Sequence, residues 1–264
     1  MRIFDIHAHI YPDAIAPRAV QALRDGYDGI TVECDGRVDT LLRQSEAAGV
    51  TAMAVHSVAT SAHQTESINR FVLEASRAHP GRLIPFGTLH PDLPDPDAEV
   101  RRLAADGFMG IKLHPELQGF RVDEPRALEL FRAAAGRLPV LLHCGDPRFD
   151  NSSPARIRRM LRQVPGLQLV CAHLGGWTLW QRAADELAGE DLWVDTSSSL
   201  YALDPSDAAS VIRAYGAGRV LFGVDYPVWN PAGEVARFMR LPLTDAERER
   251  ILWQNHLDLL RSSR

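Results

Sequence analysis

The sequence predicts a closed (β/α)8 barrel occupying the whole chain, residues 1–264, as one domain. Three observations carry this: short β-branched apolar runs recur along the chain, helical periodicity fills the spaces between them, and 264 residues suit one barrel of this kind. The apolar runs are Ile3 to Ile10, Thr51 to Val58, Leu83 to Leu89, Met109 to His114, Val140 to Cys144, Leu167 to Cys171, Leu192 to Asp195 and Arg219 to Val224. Helical segments lie between them at Val38 to Ala48, Thr65 to Ala78, Pro125 to Ala135, Ser153 to Gln163 and Trp177 to Ala188. Strand and helix alternate, which implies a parallel sheet, and no GxGxxG follows the first strand to favour an open dinucleotide-binding sheet. Ile10 to Val38 is longer than a tight connection and is placed to roof the catalytic end. Thr244 to Leu260 reads as a last helix, with Thr244 and Glu247 at capping-box spacing.

Composition narrows the function classes. Hydrophobic residues make up 45% of the chain and charged residues 24%, enough apolar material for a sizeable core. The net charge of -5 comes without a basic block, so neither nucleic acid nor an anionic membrane finds the electrostatic footprint it needs. A small-molecule substrate is the expected partner, and a homo-oligomer is compatible with the sequence. Cys34, Cys144 and Cys171 show no CxxC spacing, and an odd number cannot all pair, which suits a reducing compartment. Strand-like sequence starts directly after Met1 and Arg2, and no apolar run reaches about 18 residues, so the expected location is the cytoplasm.

In Phe4-Asp5-Ile6-His7-Ala8-His9, strict alternation sends Phe4, Ile6 and Ala8 outward against helices and Asp5, His7 and His9 into the barrel. Two histidines two apart on one strand reach a single cation, and imidazole is a preferred ligand of zinc and its neighbours. The competing reading is a pair of core histidines satisfied by hydrogen bonds. Later strand ends repeat the arrangement. His143 precedes Gly145, His173 shares a face with Cys171 and precedes Gly175, and Asp225 shares a face with Gly223 and precedes Pro227. A barrel gathers such positions at its C-terminal mouth, where active sites of this fold lie.

Across nearly the whole chain the sequence resembles the amidohydrolase superfamily, and within it the amidohydrolase-related branch that includes the aminocarboxymuconate-semialdehyde and resorcylate decarboxylases. The resemblance rests on Asp5-Ile6-His7-Ala8-His9, Gly110-Ile111-Lys112-Leu113-His114-Pro115, His143-Cys144-Gly145, His173-Leu174-Gly175-Gly176 and Phe222-Gly223-Val224-Asp225-Tyr226-Pro227. It implies a metal held by His7, His9, His143 and Asp225, with His173 as an acid/base or substrate-polarising residue beside it. Some superfamily members carry a carboxylated lysine on the fourth strand, but here His114 lies nearer the strand end than Lys112. Lys112 is therefore expected to bind a neighbour or an anionic substrate, and His114 to contact substrate.

Arg148 suits a substrate carboxylate and equally an ordinary loop charge. His56 and His90 are expected to be satisfied structural histidines, and His63, His79 and His256 solvated ones. Cys144 should pack outward and Cys171 inward. Serines at 197–199 follow the seventh strand, but no GxSxG elbow supports a serine nucleophile.

Three imidazoles and a carboxylate around one divalent ion, zinc first on ligand type and manganese, iron or cobalt next, leave a position for water. Such an ion lowers the pKa of that water from 15.7 to roughly 7. The expected chemistry is hydrolysis of an amide, ester or lactone, with Asp225 relaying the proton. The alternative is non-oxidative decarboxylation or hydration of an unsaturated or aromatic acid, and a second alternative is a metal-free or non-catalytic binding barrel.

Overall fold

Each of the eight apolar runs forms a strand: β1 Phe4–His9, β2 Ala52–His56, β3 Leu83–Thr88, β4 Gly110–Leu113, β5 Val140–Leu142, β6 Leu169–Cys171, β7 Trp193–Asp195 and β8 Val220–Leu221. The structure, a computed structural model, describes residues 1–27 and 30–261. All neighbouring strands pair in parallel in the order β1 to β8. The seam between the last strand and the first closes through Ile6 N donating to Phe222 O at 3.0 Å, Asp225 N to His7 O at 2.8 Å and His9 N to Tyr226 O at 2.7 Å. This is the (β/α)8 barrel that the alternation predicts.

The expected helices form at Val38–Ala47, Thr65–Ala78, Pro125–Ala134, Pro154–Gln163 and Trp180–Leu187. The last begins three residues late because His173, Leu174 and Thr178 take left-handed φ of 59°, 51° and 60°, which bends the chain before a helix can start. Met53, Val55, Leu113, Leu142 and Val194 pack outward in a common apolar layer with Leu41, Val72, Leu103, Phe131 and Ile157 of the surrounding helices. A second cluster contains Phe4, Ile6, Ala52, Ala54, Phe86, Leu141, Val170 and Leu221. These residues come from six strands and touch one another, which only an inward direction allows.

The inner cluster corrects the strict alternation expected for β1. Phe4 and Ile6 point into the barrel, not at helices, because β1 carries a register shift: Asp5 pairs with Met53 but Ala8 pairs with Val55. One extra residue re-aims the strand, so that the upper half of β1 has the parity expected and the lower half does not. Cys171 is a second correction. It packs in the outer layer with Cys144, and the inward residues here are Val170 of β6 and Ala172 just past its end. His173 reaches the interior through its left-handed turn and not by strand parity.

The C-terminal run starts with the expected capping box, Thr244 Oγ1 accepting from Glu247 N at 3.2 Å and Glu247 Oε2 from Thr244 N at 2.7 Å. It is not one regular helix. A π-helical segment, Arg250–Gln254, separates Asp245–Glu249 from Asn255–Arg261. The wider turn lets Ile251 O take the amide of Phe222 at 3.1 Å, which ties this run to the end of β8. His256, expected at the surface, is wholly buried under the barrel: its ring stacks on Phe4 with centroids 4.7 Å apart, and Nε2 lies 3.3 Å from Phe222 O. Helix periodicity alone could not show that this face plugs the barrel floor.

Candidate metal centre

The barrel mouth collects the imidazoles that the strand ends carry. His7 Nδ1 donates to Asp195 Oδ2 at 2.9 Å, which fixes the tautomer and leaves Nε2 with a lone pair. That Nε2 lies 3.4 Å from Asp225 Oδ1, and His9 Nε2 lies 3.6 Å from the same oxygen. Donors on a common ion at about 2.0–2.2 Å stand roughly 3.3–3.6 Å apart in tetrahedral geometry, so each histidine nitrogen has the spacing of a co-ligand with Asp225, and His7, His173 and Asp225 together offer donor atoms within 4.8 Å of one another. Burial lowers the pKa of both His7 and His9 well below the ordinary value, with the Lys112 charge adding to the effect, so both rings are neutral as ligands must be.

Asp225 is held from its other side. Ser198 Oγ donates to its Oδ2 at 2.5 Å and takes a bond from Trp229 Nε1 at 2.9 Å. Asp225, His173 and Ser198 have left-handed φ of 69°, 59° and 43°, strain that the surrounding bonds hold in place at the site. Gly223, just past β8, packs closely here: a Cβ there would stand 3.1 Å from Ser197 Cβ, 3.2 Å from His7 Cβ and 3.3 Å from Asp195 Cγ, tighter than ordinary contact, so a larger residue would press on the site's own side chains.

Lys112 is fully buried and donates to His7 Nε2 at 2.9 Å, occupying the lone pair that an ion held there would take. Desolvation lowers its pKa to about 8. Among the described residues no carboxylate forms an ion pair with it. His56, expected to be satisfied, is not: both its ring nitrogens are buried without a partner, and its ring lies 4.4 Å from that of His9 and 5.2 Å from that of His7. One of its nitrogens falls within 4.8 Å of donor atoms on His7 and His9. His90 follows expectation, with Nδ1 accepting from Asp92 N at 3.2 Å.

His143 meets His173 and His114. Its Nδ1 lies 2.9 Å from His173 Nε2, and its ring stacks on His114 at 3.8 Å, nearly parallel. His173 Nδ1 faces Ser197 O at 3.0 Å. His114 also meets Tyr27 OH, at 3.0 Å from Nε2, so the connection after β1 does reach over the site. Arg148 forms a bidentate pair with Asp146, 2.9 Å from Nε to Oδ1 and 2.6 Å from NH2 to Oδ2, and stacks over Tyr27 and Trp177.

A family model described as Amidohydrolase matches residues 4–261. The chain belongs to the amidohydrolase family. It is therefore a metal-dependent enzyme of that superfamily. No curated protein sequence matches it. Among solved structures, this amidohydrolase is similar to 5-carboxyvanillate decarboxylase LigW from Sphingomonas paucimobilis, at 17% identity and TM-score 0.76 over 98% of this chain and 99% of that one. It is similar to a dihydroxybenzoic acid decarboxylase from Polaromonas sp. with bound manganese, at 16% identity and TM-score 0.76 over 99% and 97%. A putative 2-pyrone-4,6-dicarboxylic acid hydrolase from Pseudomonas putida is 21% identical, with TM-score 0.70 over 99% and 98%.

Sequence reasoning overlooked Asp195 and Glu116 in this amidohydrolase, and weighed Ser197 only as a nucleophile. Asp195 binds His7, the backbone N of His173 at 3.0 Å and Ser197 N at 2.9 Å, so one carboxylate orients two histidines. It is the last inward residue of its strand, the same rule that selects His143, but Thr196 and Ser197 follow it instead of a Gly or Pro turn. Glu116 lies past the end of β4 in a single-turn helix, Pro115–Gln118, where strand parity no longer applies.

Proposed function

We propose that this amidohydrolase is a non-oxidative decarboxylase of a small aromatic or unsaturated carboxylic acid, with a divalent ion held by His7, His9 and Asp225. The observation that carries this reading is Lys112, a cation buried at the base of the mouth with no carboxylate paired to it among the described residues. A buried charge without a counter-ion costs several kcal/mol, so the site is built to receive an anion. A substrate carboxylate supplies that anion, whereas a neutral amide or ester does not. The decarboxylases of similar fold support the same class.

An ion held there supplies Lewis-acid polarisation of a substrate oxygen. Zinc suits the imidazole donors, and the manganese bound by one relative makes that ion the other candidate, which metal analysis of the purified protein decides. Lys112 anchors the carboxyl group, and the closed mouth excludes water from it. The bond between the carboxyl carbon and the ring or alkene carbon breaks, carbon dioxide leaves, and the carbon takes a proton. Asp225 is placed to move that proton, and His173, fixed by Ser197 O, to polarise the substrate.

The test is a panel of 2-hydroxybenzoate and muconate-type acids beside lactones and amides, with carbon dioxide detected directly. Release of carbon dioxide from an acid supports the reading, and Lys112→Met should then raise KM for it at least tenfold. Hydrolysis of a lactone or amide with no carbon dioxide from any acid overturns it in favour of the hydrolase.

A further inference from the structure

We propose that Tyr27 is a substrate-contacting residue, whose phenol oxygen accepts a hydrogen bond from a hydroxyl group on the ring of an aromatic acid. This role rests on the decarboxylase reading, which puts the substrate carboxyl group at Lys112, and adds to it a hydroxylated ring. Two sets of contacts meet at this one side chain.

The first set fixes the phenol oxygen. Glu116 Oε2 is buried 3.3 Å from His114 Nδ1 and takes the hydrogen of that nitrogen. His143 Nε2, at 4.0 Å, is too far to supply one. Leu117 N, 3.4 Å from His114 Nδ1, is the longer contact and claims no lone pair there. The lone pair of His114 is then on Nε2, which accepts from Tyr27 OH at 3.0 Å. Burial raises the pKa of Tyr27, with the Asp225, Glu116 and Asp146 charges adding to the effect, so the phenol keeps its proton for that bond. With its hydrogen directed at His114, the phenol oxygen has only lone pairs to offer a ligand. The Glu116 carboxylate at the far end of the chain polarises each bond in it, which strengthens that oxygen as an acceptor.

The second set fixes the ring. Arg148 is held by Asp146, with Nε 2.9 Å from Oδ1 and NH2 2.6 Å from Oδ2, and its NH1 donates to Gly26 O at 2.7 Å. Its guanidinium lies over the Tyr27 ring, 5.1 Å from the centroid, and Trp177 meets that ring edge-on at 5.3 Å. One cation thus pins both the backbone before Tyr27 and the ring itself to the loops that follow β5 and β6. Arg148 thereby acts through Tyr27, as a positioning residue. Tyr27 is not fully buried and keeps surface open to a ligand.

Lys112 and His114 stand two residues apart on extended chain, about 6.6 Å along it, a span comparable to that of a benzoate from its carboxyl carbon to a ring hydroxyl. An acid whose carboxyl group meets Lys112 therefore brings its far edge beside His114, where the Tyr27 hydroxyl sits.

The test is isothermal titration calorimetry of benzoate and of 2-, 3- and 4-hydroxybenzoate with the full chain and its Tyr27→Phe and Arg148→Met variants. Phenylalanine keeps the ring under Arg148 and removes only the oxygen. Tyr27→Phe should weaken at least one hydroxybenzoate about tenfold, the scale of one hydrogen bond, and leave benzoate unchanged. Arg148→Met keeps the oxygen but frees the ring, and should reproduce the selective loss. If it lowers Tm without changing the ratio of hydroxybenzoate to benzoate affinity, its positioning role is overturned. Hydroxybenzoates that bind Tyr27→Phe as tightly as the wild type, or an equal loss for benzoate, overturn the Tyr27 contact. Failure of all four acids to bind the wild type overturns the ligand class and the contact with it. Selective loss without carbon dioxide release from any acid in the activity panel upholds the contact and removes the decarboxylase.

Discussion

Asp195 shows how much of a metal site lies behind its ligands. It holds His7 Nδ1 at 2.9 Å and caps the backbone of His173 and Ser197, so removing its charge loosens the ring before any ligand is touched. Asp195→Asn should weaken metal binding about 10- to 100-fold, the usual cost of losing such a partner, while the fold persists. A competitive chelator titration reads this directly, and unchanged affinity would remove Asp195 from the centre. Lys112 is the opposite case. Its type and strand face are plain in the sequence, yet only its lack of a carboxylate partner gives it a role.

Two elements carry consequences of their own. At the end of β5, Gly145 has φ of 69°, and a Cβ there would stand 2.5 Å from Gly176 Cα, so backbone meets backbone where the His143 and His173 loops touch. Gly145→Ala should cost about 2–4 kcal/mol, combining left-handed strain with that clash, and thermal denaturation measures it. Under the barrel, burial lowers the pKa of His256 to about 3, against 6.5 in an unfolded chain. Above pH 6.5 both states are neutral and the shift has no effect. As pH falls below 6.5 the unfolded state binds a proton that the folded state refuses, and stability is lost until about pH 3. At pH 5 the loss from this group is about 2 kcal/mol, so His256→Phe should gain about that much on the wild type between pH 7 and pH 5 in urea titrations. Parallel curves for the two proteins across that range would refute the assignment.

At the scale of the whole molecule, the ends of eight strands hold the polar residues in a mouth above an apolar floor formed by Phe4, Ile6, Leu141, Val170 and Leu221. Buried neutral imidazoles and a buried lysine are costly to fold, and an ion that binds only the folded barrel offsets part of that cost. Stripping the metal with a chelator should lower Tm by about 5–10 °C, the shift expected when ligand present at 100 times its Kd is removed from a domain of this size. Readdition of the ion should restore it, and a Tm indifferent to the chelator would mean that no metal binds the native state. No helix among the described residues is long and apolar enough to cross a membrane.

The barrel itself was legible in the amino-acid sequence, because a parallel strand buried on both faces must be an apolar run and each must be followed by a helix. The positions of His7, His9, Lys112, His114, His143, His173 and Asp225 at one mouth followed from the same pattern. What each of them faces did not. The register shift in β1 reverses the inward face of Phe4 and Ile6, the left-handed turn after β6 and not strand parity carries His173 inward, and Asp195 becomes a partner of His7 across 188 residues of chain. Those outcomes depend on distances between segments remote in sequence, and local periodicity holds no information about them. So the sequence determined which end of the barrel carries the chemistry, and only the tertiary structure decided that His143 meets His173 and stacks on His114.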